Sequence, residues 1–140
     1  MVLSSLALVL AAAALIVALS RSGAGAGDAP SYTAAQKAEA KAQLCDRYRL
    51  AGHALNIETQ PGNDVVLARI SMINGALILE TAAADPALEE KYRDAARALA
   101  KTYQTTAAIG TMGMSTDEQW DAAVGDTNAK DRVMQGLCGD

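Results

Sequence analysis

Hydrophobic and polar positions divide this chain into two regimes. Val2 to Ser20 reads VLSSLALVLAAAALIVALS, about nineteen residues without a charge, long enough as a helix to cross a hydrocarbon core of about 30 Å. RSGAGAGDAPSY follows, polar and glycine-rich, the composition of a helix stop and a flexible linker. Beyond it, apolar residues recur three and four apart in four separated segments, the period of amphipathic helices.

The caps delimit those segments. Thr33 with Gln36 three residues later forms a capping box, so a first helix runs from there to about Ile57, its inward stripe being Ala38, Ala42, Cys45, Tyr48, Gly52 and Leu55. The loop ETQPGN ends it. A second helix starts at Asn63 or Asp64 and reaches about Ala84, with Val66, Ile70, Ile73 and Leu77 on one face; as the most apolar of the four it is expected to be the most buried. ADPALEE restarts the chain, with Asp85 as cap, Pro86 in the first turn and Glu89 and Glu90 at the positive helix end. This third helix buries Leu88, Tyr92, Ala95, Leu99 and Tyr103 and stops near Gly110. STDE, from Ser115 to Glu118, opens the fourth, which carries Trp120, Val124, Met134 and Leu137.

The resulting expectation is an all-α protein: an N-terminal transmembrane helix over 1–20, a linker over 21–32, and an antiparallel up-down four-helix bundle over 33–140 closed by one disulfide. Abundant alanine, no phenylalanine and prolines confined to the segment boundaries favour helices over strands.

The two cysteines bear on the compartment. Cys45 and Cys138 belong to no CxxC and no His/Cys cluster, so they read as one structural disulfide, which persists in an oxidising environment. In an antiparallel bundle the end of the fourth helix lies beside the earlier half of the first, where Cys45 sits. Charge alone argues otherwise: Arg21, Lys37 and Lys41 follow the apolar run, a bias that would hold the domain in the cytoplasm. The cysteine reading is preferred, because Asp28 and Glu39 dilute that bias, and it places the domain outside the cell membrane. A retained anchor fits better than a cleaved signal, since the basic n-region is missing and the apolar run is long, although AGA at 24–26 offers a cleavage site.

Net charge is -4, with no basic stripe and no interleaved aromatics, so nucleic acid is not an expected partner. His53 is the single histidine and reads as an ordinary helix residue; five residues from Tyr48, it cannot share a haem-binding face with it. Met112 and Met114 in GTMGMS are a pattern that can bind Cu(I), but a single copy without histidine or cysteine beside it reads better as a flexible apolar contact. With Trp120 they form the candidate partner-binding surface. Asn74 and Gly75 interrupt the second helix and read as a close helix crossing. There is no phosphate loop, no GxSxG and no free thiol nucleophile, so no catalytic residue, metal or cofactor is expected.

The order of an Ala/Val/Leu anchor, a Gly/Pro linker, YTAAQKAEAKAQLCDRY, an apolar helix with NGAL, ARALAKTYQ and a terminal LC resembles small alanine-rich, single-pass, membrane-anchored exported proteins of actinobacteria. That resemblance implies an exported helical domain with cysteines matched to Cys45 and Cys138, and it brings no known activity. The functional expectation is an accessory or scaffold subunit, anchored in lipid by residues 2–20, that acts by contact with a larger membrane or cell-envelope assembly. The alternative is a carrier whose bundle takes an apolar ligand, which needs a cavity of roughly 300 Å³ or more inside the bundle.

Overall fold

Thr33 opens the first helix as its side chain dictates. Its Oγ1 accepts from the Gln36 backbone N–H at 3.2 Å, and the Gln36 side chain accepts from the Thr33 N–H at 2.9 Å, so two otherwise orphaned donors are satisfied reciprocally. In the computed structural model the described residues are 31–111 and 115–139. The expected anchor, and linker residues 21–30, lie outside them. The chain divides into units Met1–Ser31 and Tyr32–Asp140, and the described helices lie in the second. Tyr32, assigned to the linker from sequence, instead packs half-buried against the core.

Four helices make the described fold: α1 (Ala34–Glu58), α2 (Val65–Ala82), α3 (Glu90–Ile109) and α4 (Asp117–Cys138). Each packs on its neighbours in sequence, whereas α1 and α4 meet over only a short stretch. Cys45 and Cys138 form a disulfide there, with Cα atoms 5.3 Å apart.

Two helix starts move relative to expectation. Asp85 does not cap α3: its Oδ1 accepts from the Ala87 N–H at 2.8 Å inside a separate turn, and Arg93 donates to the Leu88 carbonyl at 2.7 Å to hold that turn against the helix. The cap position is Glu89, with no side-chain cap bond. A short Asp side chain satisfies donors two residues ahead, which favours a tight turn before the proline geometry lets a helix begin. At α4 the capping box is Thr116 with Gln119, one residue beyond the expected Ser115 and Glu118. Ser115 is used elsewhere, its hydroxyl donating to the Ile109 carbonyl at 2.9 Å and closing the end of α3.

The core is thin and alanine-rich. Leu44, Leu79, Leu99 and Met134 are its largest fully buried apolar side chains, surrounded by Ala51, Ala76, Ala83, Ala96 and Ala100. Small side chains let helix backbones approach closely. A Cβ at Gly75 would lie 3.3 Å from the Tyr103 ring and 3.5 Å from the Ala51 methyl, so Gly75 is where α2 crosses both neighbours, as its sequence context suggests; Asn74 beside it is exposed. On α1 the buried row is Ala40, Leu44, Cys45, Tyr48 and Ala51. Ala38 and Ala42, expected inside, are exposed, because turning the helix to bury Leu44 removes more apolar area from water than burying two methyl groups. α3 follows expectation more closely, with Tyr92, Leu99 and Tyr103 buried and Ala95 half-buried; Leu88 is also buried, but in the turn before the helix.

Candidate interaction surface

The α1–α4 junction positions the last helix with few groups. The Tyr48 hydroxyl donates to Asp131 Oδ1 at 2.8 Å, and Asp131 Oδ2 accepts from Gln135 Nε2 at 2.9 Å, one turn before the disulfide at Cys138. Between α3 and α4, the buried hydroxyls of Thr106 and Thr127 hydrogen-bond at 2.9 Å. Of α4 only Thr127 and Met134 are buried, with Leu137 half-buried against the core, and the helix packs mainly on α3.

Burial pushes the Tyr48 phenol above its ordinary value, and the bond to the Asp131 carboxylate adds to that; Tyr103 is raised chiefly by burial and then by the same carboxylate. Both folded values exceed the unfolded value of about 10, so the stability held by the neutral phenols is complete below that pH and is lost as pH rises toward the folded values. Chemical denaturation should therefore show stability falling above about pH 10, with a shallower fall in Tyr48→Phe. An identical slope in the two proteins would remove Tyr48 from the account.

The largest departure from the sequence expectation is α2. Its buried row is Met72, Gly75, Ala76 and Leu79, while Val66, Ile70 and Ile73 are half exposed and Leu77 is 66% exposed. The face expected to point inward points out. Six of the ten large hydrophobic residues exposed among the described residues lie on this helix, which clusters them rather than scattering them singly. By length and composition α2 would pass as a membrane-crossing segment, with a mean hydropathy of 1.5 over 18 residues. It is nevertheless wedged between α1 and α3 along its other side. Beside the stripe, Val66, Ile70, Ile73, Ala107 and Ala108 line an open groove between α2 and α3 of about 430 Å³.

Met112 and Met114 of the expected partner-binding set lie outside the described residues. Trp120 is 36% exposed, and its ring edge lies over Gly110, so close that a Cβ there would come within 2.9 Å of it. Trp120 therefore packs largely against its own chain at the α3 terminus. Cys45 and Cys138 are consumed by the disulfide, and among the described residues no cluster of three His, Cys, Asp or Glu side chains is arranged to hold a metal. His53 is exposed.

The signal that would have found the outward face was present. A second row, Met72, Ala76, Leu79 and Ala83, has the same four-three-four spacing, and it contains the small residues that close helix packing requires. No protein-family model, no curated protein and no solved structure matches this chain.

Proposed function

We propose that this protein is a non-enzymatic, membrane-anchored accessory or scaffold subunit that acts by protein–protein contact in a cell-envelope assembly. Residues 2–20 serve as the lipid anchor, and the helical domain stands on the extracytoplasmic side, where its disulfide is stable. Kinship with the alanine-rich exported proteins of actinobacteria belongs to the same proposal. So does the antiparallel order of the bundle, supported by pairs whose numbers run in opposite directions: Cys45–Cys138 with Tyr48–Asp131, and Gly75–Tyr103 with Arg69–Thr111.

One observation carries the contact reading: among the described residues the row Val66, Ile70, Ile73 and Leu77 is left half exposed or more. Continuous exposed apolar stripes on an ordered helix mark interaction surfaces, because leaving them in water forgoes burial worth about 25 cal/mol per Å². The α2 row is thereby added to the expected contact set of Met112, Met114 and Trp120, of which Met112 and Met114 lie outside the described residues. The groove beside α2 supports the second reading, a carrier of an apolar ligand, but it lies open on the surface rather than inside the bundle.

The test uses the full chain in intact cells. A reporter active only outside the cytoplasm, fused after Asp140, should be active, and a photoreactive side chain at Ile73 should give one predominant protein adduct that Leu77→Asp abolishes. Adducts to lipid alone, or none, would overturn the contact reading.

A further inference from the structure

We infer that the surface covering the α2 stripe is α2 of a second copy of this chain, packed across a two-fold axis; this rests on the contact reading above and names its partner. The stripe has the four-three-four spacing of a coiled-coil seam and runs for about 16 Å along the helix. Its residues are arranged symmetrically about a point between Ser71 and Met72. Two antiparallel copies centred there set Val66 against the partner's Leu77 and Ile70 against the partner's Ile73, so every exposed apolar side chain of the row meets another. The same register sets Arg69 opposite the partner's Asn74, an amide whose oxygen can accept from a guanidinium.

Charge is complementary in the same arrangement. Arg47 of α1 lines a recess with Leu77 and Ile78 at one end of the stripe, where the two carboxylates of the same recess are already engaged, Asp46 by Arg49 and Asp85 by the Ala87 N–H, and Asp64 caps α2 at the other end. Among the described residues neither Arg47 nor Asp64 takes part in an ion pair, whereas the neighbouring Asp46 is engaged by Arg49 at 2.8 Å. A two-fold contact between the stripes brings Arg47 toward the partner's Asp64 at both ends, the reciprocal pairing that an isologous interface demands. A lipid surface fits less well. Interfacial helices flank their apolar face with Lys and Arg, whereas the only charges within α2 are Arg69 and Glu80, with Asp64 at its start.

The experiment co-expresses two differently tagged full-length copies, Ile70→Cys in one and Ile73→Cys in the other, and oxidises intact cells gently. A disulfide-linked species carrying both tags, at twice the chain mass, is expected. The Val66→Cys with Leu77→Cys combination should form it equally well, and Ile70→Cys with Arg97→Cys, on the exposed side of α3, should not. Arg47→Glu should lower the yield severalfold in both productive combinations. Yields that ignore register, or exclusively monomeric chain, would overturn the two-fold contact. Crosslinking to a different protein would also overturn it while leaving the contact reading intact; no protein adduct from these cysteines or from the photoreactive side chain at Ile73 would remove both.

Discussion

Cys138→Ser should lower the melting temperature by on the order of 20 °C. The bridge joins residues 93 apart in sequence, and the chain-entropy account assigns a loop of that size about 4 to 5 kcal/mol. For a domain near 100 residues each kcal/mol corresponds to about 4 to 8 °C. Set against a usual net stability of about 5 to 15 kcal/mol, this is a large share. The structure adds a reason for the effect to be realised: α4 packs on α3 but touches α1 over only a short stretch, so the bridge, with Leu137 and the Tyr48–Asp131 bond, is what ties its end to α1. A scan with and without reductant supplies the control. Reductant should bring the wild type down to the level of the variant and leave the variant unchanged. A melting temperature within a few degrees of wild type would show that α4 docks without the bridge.

Leu79→Ala and Leu77→Ala should differ more sharply than any other neighbouring pair. Leu79 is fully buried, and its truncation removes transfer energy and leaves a cavity between α2 and its neighbours, for a loss of about 2 to 5 kcal/mol. Leu77, two residues earlier, is 66% exposed, and truncating it should change monomer stability by under about 0.5 kcal/mol. Denaturant titration of both variants, at concentrations low enough to prevent association, reads the difference directly. Equal losses, or the larger loss at Leu77, would mean that α2 is turned the other way, and the interaction surface would fall with it.

These two predictions also mark what each kind of information could reach. The capping box at Thr33 and Gln36, the loop at PGN and the helical character of the four segments are local chemistry: each depends on residues a few positions apart, and each is legible in the sequence, whereas at ADP the break was legible but not that Asp85 turns the chain instead of capping α3. The Cys45–Cys138 bridge was legible as well, since two lone cysteines with no metal pattern leave one structural use. Choices between nearly equivalent local options were less so, as at Ser115 against Thr116, where the hydroxyl that caps is the one not needed by the Ile109 carbonyl.

The orientation of α2 was decided by the tertiary structure, with the small residues of the inner row as its one trace in the sequence. The helix carries two apolar rows with identical spacing, so periodicity cannot choose between them. What chooses is the space available beside Ala51 and Tyr103: backbones drawn close by an alanine-rich core accept Gly75 and Ala76 at the crossing and would clash with the branched side chains of Ile70, Ile73 or Val66. Packing volume is a property of three helices together. The sequence of one of them could say that α2 is apolar, but the fit between neighbours determined which apolar row is left exposed.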